Sequence, residues 1–449
     1  MADFTPHTDA EIDDMLAFCG LASVEELFAT VPAAIRLAAG LELPPGRSEP
    51  DTLAELERLA AANRVGRELV CFAGGGAYDH DVASVVRRVA FRGEFVTSYT
   101  PYQPEVAQGV LQALFEYQTL VARLSGLPVA NASLYDGASA TVEAINLAVA
   151  ATGHQRVLLS AGVNPRTAEV AATLARGTGH ALEPVPLDRR GTTAWPDGGG
   201  GPAGAVVVQY PNYLGVIEDV TGARAVADAA GALLVVVMDP VAMGLLVPPG
   251  RLGADVVVGE GQVFGTPLSF GGPYVGLFAC RQEHVRRLPG RLVGETVDVR
   301  GTTSYVTTLR TREQDIRREK ASSNVCTNET LIAVCCAIQL GWLGPSGLRE
   351  MALRCARGTR YARDALLAVD GVAPLVDGPV LREFAVRAPI PAVAVIDRMA
   401  DEGYLAGIAV AEPGAVLDAR SHGLLISVTE RRTRDEIDGF VSAFEKVTR

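Results

Sequence analysis

Residues 133–141 bring together side chains and backbone amides that can bind an anion. The segment reads SLYDGASAT and leads directly into an apolar helical run at 142–150. The free amides and the positive dipole at the start of a helix can hold a phosphate group. Asp136 and Ser139 are also ordinary helix-capping residues. For this segment taken alone, capping is the favoured interpretation.

A second candidate is Asp239, which follows the apolar run at 233–238. Open α/β sheets bind ligands at the carboxyl ends of their strands. In pyridoxal-phosphate enzymes an acid at this place keeps the pyridine nitrogen protonated, so that the ring can accept electrons from a carbanion. The alternative, an acid that caps the next turn, is equally well supported by the sequence.

A self-sufficient enzyme of this kind also needs a lysine about twenty to thirty residues after the acid, to form the Schiff base. Residues 259–267 read GEGQVFGTP and contain no lysine; Gln262 and Val263 stand where it is expected. Arginine has replaced lysine nearly everywhere in this chain, so the overall scarcity of lysine says little about function. The local absence is the informative one.

The chain has two lysines, Lys320 and Lys446. Lys320 lies in a charged run at 310–320, where neighbouring carboxylates keep an amine protonated and non-nucleophilic. Lys446 is close to the C-terminus. An independent pyridoxal-phosphate decarboxylase or lyase that uses Lys320 is therefore a disfavoured alternative.

The strands and helices that must position these residues are predicted to form an α/β fold. Four short apolar runs without alternation, at 157–159, 205–208, 233–238 and 255–258, indicate strands covered on both faces, hence a mainly parallel sheet. Val106, Val110, Leu114, Tyr117 and Val121 recur on one face of a long helix that should end at Gly126.

Three regions are predicted along the chain. Residues 1–65 form a helical N-terminal arm, with Ser23 as a helix cap and a second amphipathic run at 53–59. Residues 66–330 form a large α/β domain. Residues 331–449 form a smaller α+β domain with a strand at 424–428.

Composition limits the possible functions of these 449 residues. The formal net charge of -12 repels a phosphate backbone, so nucleic acid is not expected as a partner. The acidic N-terminus does not resemble a secretory signal, and the most apolar stretch, 232–247, is too short and too interrupted to span a bilayer. Seven cysteines without a C-x-x-C pair, and no histidine cluster, predict no metal site and a cytoplasmic location.

Seven segments in order resemble the glycine dehydrogenase (decarboxylating) subunit 1 family. Together they cover most of residues 10 to 335. They are MLxxCGLxSVEELF at 15–28, TSYTPYQPE at 97–105, NASLYDGA at 131–138, GEGQ at 259–262, GGP at 271–273, GRLVGETVD at 290–298 and REQDIRREKASSNVCT at 312–327.

The resemblance implies a pyridoxal-phosphate transferase fold of type I and one half of a two-chain P-protein. In that family a β-type partner, subunit 2, carries pyridoxal phosphate and its lysine. The pair decarboxylates glycine and transfers the aminomethyl group to the lipoyl arm of the H-protein, in an expected α2β2 assembly. This chain resembles the α-type subunit, binds no cofactor covalently and has no catalytic residue assigned to it.

The candidates for a direct contribution to the partner's site are Tyr99, Tyr102 and Gln103, in a loop held by Pro101 and Pro104. Their phenol and amide groups could contact the partner's cofactor or substrate, because subunits of this fold pair across their active-site mouths. Packing at the subunit interface is the alternative. A non-catalytic scaffold or regulatory protein that retains the fold is the remaining hypothesis.

Overall fold

The computed structural model describes residues 6–37, 41–64, 68–98 and 101–449, and the chain divides into two compact units after Arg64. The first unit contains helices α1 (Asp9–Phe18) and α2 (Glu49–Ala61). Thr8 and Ser48 cap them by accepting bonds from Glu11 N and Asp51 N. Helix α2 contains the amphipathic run predicted at 53–59.

The helix expected from Ser23 is a single 3-10 turn, Val24–Phe28. Ser23 makes no capping bond; instead the carboxylate of Glu26 accepts a hydrogen bond from Ala22 N, at 2.9 Å. The prediction of a helix cap at Ser23 is therefore wrong. The reason is local, because the acid in the first turn takes a backbone donor upstream of the turn.

The second unit contains ten α-helices and fifteen strands among its described residues. The helices are α3 (Ser84–Ala90), α4 (Gly93–Val96), α5 (Gln108–Ser125), α6 (Gly137–Thr152), α7 (Pro165–Thr178), α8 (Val220–Ala230), α9 (Gln314–Arg317), α10 (Thr330–Leu367), α11 (Ala392–Asp401) and α12 (Arg434–Thr448). The strands are β1 (Val70–Cys71), β2 (Val129–Ala130), β3 (Arg156–Ser160), β4 (Ala181–Val185), β5 (Ala205–Tyr210), β6 (Leu233–Met238), β7 (Val256–Glu260), β8 (Gly276–Cys280), β9 (Leu292–Val297), β10 (Thr303–Thr308), β11 (Ala373–Pro374), β12 (Glu383–Arg387), β13 (Tyr404–Leu405), β14 (Ile408–Val410) and β15 (Gly423–Ser427).

A seven-stranded sheet with the order β2-β8-β7-β6-β5-β3-β4 forms the centre of this unit. Strands β4, β3, β5, β6 and β7 are parallel, whereas β8 and β2 add antiparallel pairs at one edge. All four predicted strands belong to the parallel part. Their side chains are buried on both faces, which explains why the apolar runs do not alternate.

Helix α5 confirms the long amphipathic helix. Val110, Leu114, Tyr117 and Val121 are buried on it, and Gly126 ends it in the left-handed conformation, with φ 75°. Val106 does not belong to the helix. It closes the preceding 3-10 turn and is 80% exposed.

The C-terminal part of the unit contains a four-stranded antiparallel sheet, β11-β12-β15-β14. The strand predicted at 424–428 corresponds to β15. Helices α11 and α12 cover this sheet, and Phe384, Phe440 and Phe444 lie in the core between them. The subdivision of this unit at residue 330 stays a prediction.

Helix α10 is, by length and composition alone, the one helix among the described residues that could cross a membrane; the long core helices of many proteins pass the same test. It is interrupted at Gly344, with φ 58° and ψ -178°, and Pro345 follows. Its buried side chains pack against helices α3, α5 and α12. Cys336 and Cys355 are fully buried among them.

Candidate active-site cleft

A cleft of about 610 Å³ lies at the carboxyl ends of β5, β6 and β7. The first turns of α6 and α7 line it, as do residues 74–78 and Asp239. The structure thus brings together the α6 N-terminus, Asp239 and the segment around Gln262, which are far apart in sequence. This is the place where a sheet of this type binds ligands.

The α6 N-terminus is capped within the chain. Asp136 accepts a hydrogen bond from Ser139 N at 2.7 Å, as an N-cap does. The carboxylate of Glu260, at the end of β7, accepts from Gly137 N at 2.9 Å, and also from Gln262 N and Val275 N at 3.0 and 3.1 Å. Burial raises the pKa of Glu260 from 4.5 to about 7, despite these three donors.

Asp239 forms an ion pair with Arg382. The Nη2 atom of Arg382 lies 2.7 Å from Asp239 Oδ2, and the arginine is 3% exposed. The other carboxylate oxygen accepts from Val241 N at 3.0 Å and caps the following turn. The capping interpretation of Asp239 is therefore correct, and the pairing with Arg382 is an addition that the sequence did not suggest.

Arg382 extends this ion pair into a buried polar network. Its Nη1 atom lies 2.6 Å from His80 Nε2, and its guanidinium carbon lies 3.5 Å from the ring centroid of Tyr78. His80 Nδ1 lies 2.5 Å from Glu430 Oε2. Since Nε2 must accept from the arginine, Nδ1 carries the proton and donates to Glu430.

Cys355 completes a group of three potential metal ligands with His80 and Glu430. Its sulfur lies 3.7 Å from Glu430 Oε2. Neither imidazole nitrogen is available to a metal, because one is protonated toward Glu430 and the other accepts from Arg382. The contacts of this group are those of a hydrogen-bond network.

Gln262 is 1% exposed and binds the backbone on two sides. Its Oε1 accepts from Tyr78 N at 3.0 Å, while Nε2 donates to the carbonyl oxygens of Tyr78 and Thr266 at 3.1 and 2.9 Å. Val263 beside it belongs to the core. An amide at this position holds the 74–81 segment, which we name the strap, against the end of β7.

The strap is also bound from the C-terminal sheet. Glu383 accepts from Gly75 N and from the Tyr78 hydroxyl, both at 2.7 Å. Sequence reasoning missed Glu383 and Arg382 because they are remote in the chain. The signal that could have found them is a pair of opposite charges immediately before the apolar residues Phe384–Val386 of a buried strand.

Tyr102 lies at a separate cavity of about 270 Å³. Arg291 Nη2 lies 2.5 Å from the Tyr102 hydroxyl and also donates to Cys326 O, at 2.8 Å. The guanidinium stacks on the phenol ring, 4.3 Å from its centroid. Glu313 lines the same cavity, and burial raises its pKa.

The other predicted positions are less informative. Gln103 is exposed beside the 3-10 turn Pro104–Val106. Tyr99 lies outside the described residues. Lys320 is in an exposed turn, and Lys446 forms an ion pair with Glu402; neither lines the cleft.

Comparisons with known sequences place the chain in one family. The model of the glycine cleavage system P-protein family matches residues 2–444. Proteins named probable glycine dehydrogenase (decarboxylating) subunit 1 are similar over their full length. The relatives from Moorella thermoacetica and Novosphingobium aromaticivorans are 46% identical, with 99% of each chain covered. The relative from Chlorobium limicola is 43% identical, with 98% of this chain and 99% of its own length covered.

Solved structures agree with this assignment. A glycine decarboxylase (P-protein) of the glycine cleavage system, in inhibitor-bound form, superposes with a TM-score of 0.90 and 44% identity, covering 99% of this chain and 100% of that one. A NifS-like protein has a TM-score of 0.62 at 14% identity over 84% of this chain and 99% of its own. The sphingosine-1-phosphate lyase of Burkholderia pseudomallei has a TM-score of 0.60 at 18% identity over 93% and 94%.

The two distant structures share only the fold, and they confirm the predicted pyridoxal-phosphate fold of type I. The relatives are named as one subunit of an enzyme, which implies a partner chain. Sequence and structure together show that this chain belongs to the glycine cleavage system P-protein family, as subunit 1 of a glycine decarboxylase.

Proposed function

We propose that this chain is the α-type subunit of the P-protein and that the partner, subunit 2, carries pyridoxal phosphate together with its Schiff-base lysine. The cofactor, when bound there, stabilises the carbanion that decarboxylation of glycine produces. The aminomethyl group then passes to the lipoyl arm of the H-protein. An α2β2 assembly in the cytoplasm completes the proposal.

The observation that carries this proposal is Gln262. At the place where a Schiff-base lysine is expected, the chain has an amide that three backbone contacts hold in position. An amide nitrogen cannot form an imine with an aldehyde. The residues of this cleft therefore do not fit the cofactor, and no step of the reaction is assigned to them.

Tyr102 and Gln103 are proposed to contribute to the partner's site. Tyr102 is 41% exposed, so part of its ring is available to a second chain, while Arg291 fixes its hydroxyl. A tyrosine held in this way can orient a ligand at low entropic cost, because its side chain is already ordered. The same contact with Arg291 would also suit a tyrosine that packs at the subunit interface, so kinetic measurements must distinguish ligand contact from packing.

Free cysteines support a reducing location. All seven cysteines are unpaired, and five of them are buried. Oxidising compartments favour disulfides in exported proteins, whereas a reducing cytoplasm leaves thiols free.

Reconstitution tests the assignment of the cofactor. The chain is expressed alone and with a candidate subunit 2, supplied with pyridoxal phosphate and reduced with borohydride. Mass spectrometry is expected to find the reduced pyridoxyl group on a lysine of subunit 2. A pyridoxyl adduct on Lys320 or Lys446 of this chain would contradict the proposal, and Lys320→Ala would then identify the site.

A further inference from the structure

The three positions that could anchor pyridoxal phosphate converge on one cleft, and each is bonded to a side chain of this same chain. A phosphate would need the α6 N-terminus, a pyridinium nitrogen would need Asp239, and an aldehyde would need the residue at 262. We infer that Glu260, Arg382 and Gln262 occupy these three positions and close the cleft to the cofactor and to free phosphate. This inference deepens the proposed function and rests on it.

Glu260 takes the position of the phosphate. Its carboxylate accepts from Gly137 N, the first residue of α6, and from two further amides. A Cβ on Gly137 would lie 3.0 Å from Glu260 Cβ, so the two segments are in close contact. A phosphate at this helix end would have to displace a partly buried carboxyl group that already accepts from Gly137 N.

Arg382 takes the position of the pyridinium. It offers Asp239 a cationic N–H donor at 2.7 Å, as a protonated ring nitrogen would. It is buried and also bonded to His80, and its Nε has no partner among the described residues. A ring that displaced it would leave a buried arginine with fewer partners, which is strongly unfavourable.

The three residues bind different main partners, although Glu260 also accepts from Gln262 N and Arg382 stacks on Tyr78 of the strap. Glu260 binds a helix end, Arg382 joins β6 to the C-terminal sheet, and Gln262 binds the strap. If only the lysine were lost, the α6 N-terminus and Asp239 would stay open, and the cleft would still bind phosphate esters. Because Glu260 and Arg382 occupy these two anchors, the cleft is predicted to bind no phosphate ester.

Ligand binding without an imine tests this inference apart from the missing lysine. The probes are pyridoxamine 5′-phosphate, which has no aldehyde, and inorganic phosphate. The protein is the assembled complex whose partner sites have been locked by borohydride reduction of bound pyridoxal phosphate. Titration calorimetry of the wild-type complex is expected to show no saturable binding of either probe.

Two variants should open the cleft. Glu260→Ser frees Gly137 N at the start of α6 and is expected to gain saturable binding of inorganic phosphate, which is not expected of the wild type. Glu260→Gln keeps the side-chain volume and is the matched control, which should stay without binding. Arg382→Met frees Asp239 and is the second, independent variant, expected to gain binding of pyridoxamine 5′-phosphate.

Saturable binding by the wild-type complex would overturn the inference by itself. So would a folded Glu260→Ser and a folded Arg382→Met that both fail to gain binding. These outcomes differ from failure of the proposed function, which would appear earlier as a borohydride adduct on this chain.

A second, independent observation concerns the first unit of the chain. None of the described residues in 6–37 and 41–64 is buried, and thirteen large apolar side chains are exposed there. Phe18 is 93% exposed, and Leu53, Leu56 and Leu59 are about half exposed along one side of α2. An apolar surface of this extent marks an interaction site.

We propose that this N-terminal arm docks on the surface of subunit 2. Thirteen such side chains offer on the order of 1,000 Å² of apolar surface, and a stable interface needs about 800 Å² per partner. Residues 1–64 contain twelve acids and four arginines. A second copy of this chain, with net charge -12, would repel this acidic arm, whereas a partner with basic groups on its surface would attract it.

Hydrogen exchange locates the docking site. The amides of α2 are expected to exchange rapidly in the free chain and to gain at least tenfold protection in the complex with subunit 2. Leu56→Glu should weaken the complex at least tenfold. Ala54→Glu adds the same charge on the opposite side of α2 and is expected to change the affinity less than twofold.

Three results would contradict this proposal. Protection of α2 in the dilute free chain would mean that the arm covers its own chain. Protection that grows with concentration of the free chain would indicate a second copy. A complex with subunit 2 in which α2 stays unprotected would remove the docking site and leave the proposed function intact.

Discussion

The side chains that decide the chemistry of this cleft are polar groups in low-dielectric surroundings, where unpaired polar atoms are costly. Glu260, Arg382 and Gln262 are each held by several partners. Buried groups bound in this way fix one arrangement and resist replacement by a ligand. At this scale, the proposed closure of the cleft to a cofactor would follow from three bonded residues as well as from the absence of a lysine at 259–267.

The role of the Tyr102 loop is open to kinetic test. If the loop contacts the partner's cofactor or substrate, Tyr102→Phe and Gln103→Ala should each lower kcat for glycine–bicarbonate exchange by about 10-fold, because oriented polar contacts of this type contribute one to a few kcal/mol. Exchange is measured on the intact complex, whose assembly is checked by light scattering. Unchanged kinetics would assign both residues to packing.

The protonation of Glu260 should make stability depend on pH. Its folded pKa is about 7 against an ordinary value of 4.5, so the folded protein holds this proton more tightly than the unfolded chain. The free energy of unfolding should therefore fall by up to about 3 kcal/mol as pH rises from about 4.5 to about 7. Urea unfolding of wild type and Glu260→Gln at several pH values should show a steeper fall with pH in wild type, and the difference between the two is the contribution of Glu260.

Gln262 should contribute to the stability of the folded protein and not to catalysis. Gln262→Ala removes three hydrogen bonds and leaves buried backbone groups unpaired, which should lower the free energy of unfolding by about 2–4 kcal/mol. Gln112, which is exposed and bonded to Glu116, is the control, and Gln112→Ala should cost less than about 0.5 kcal/mol. Equal urea midpoints for the two variants would refute the assigned role.

At the scale of elements, the strap and the β12 strand are joined where two chain segments approach closely. Glu383 begins β12 and binds Gly75 and Tyr78 of the strap with its side chain. Its backbone carbonyl lies against Gly215, in the loop after β5. The cleft therefore has its position fixed by contacts between elements that are distant in sequence.

This close approach makes Gly215 irreplaceable. It has φ 83°, and a Cβ would overlap the carbonyl oxygen of Glu383. Gly215→Ala should thus lower the free energy of unfolding by more than about 3 kcal/mol. Gly153 has φ 77° with open space around it, so Gly153→Ala isolates the backbone strain and should cost about 1 kcal/mol. If Gly215→Ala and Gly153→Ala lowered the free energy of unfolding equally, in thermal or urea unfolding, the close contact with the Glu383 carbonyl would contribute nothing.

At the scale of the whole molecule, the function belongs to a complex. The relatives are named as one subunit, and 99% of this chain matches the length of such a subunit. The chain has the pyridoxal-phosphate fold of type I, the exposed Tyr102 beside a charged cavity, and an N-terminal arm with many exposed apolar side chains. We expect each of these features to act when a second chain is present.

Addition of this chain to subunit 2 should raise the rate of glycine–bicarbonate exchange at least tenfold, because the partner's site is expected to be incomplete without it. The rate is measured with subunit 2 alone and at increasing ratios of this chain, and it should saturate at equal amounts. No increase, with a complex demonstrably formed, would favour the scaffold hypothesis. Heat-denatured chain is the control for nonspecific effects.

The sequence by itself determined the strands, the long helix and the absence of a lysine from residues 259–267. Apolar runs such as 233–238 and the glycine stop at 126 are local signals, because burial and turn geometry act on neighbouring residues. It also located Asp239, the α6 N-terminus and Gln262 as a set. The function was predicted from the seven family motifs, because they occur in this chain in the same order as in the family.

Only the tertiary structure decided what these positions bind. Arg382 reaches Asp239 across 143 residues of sequence, and Glu260 reaches Gly137 across 123. Contacts between distant segments leave no periodic pattern, so the sequence could not choose between a ligand anchor and a capping residue at Asp239. Burial and pairing made that choice, since a charged group in the interior is stable only beside the partner that the fold brings to it.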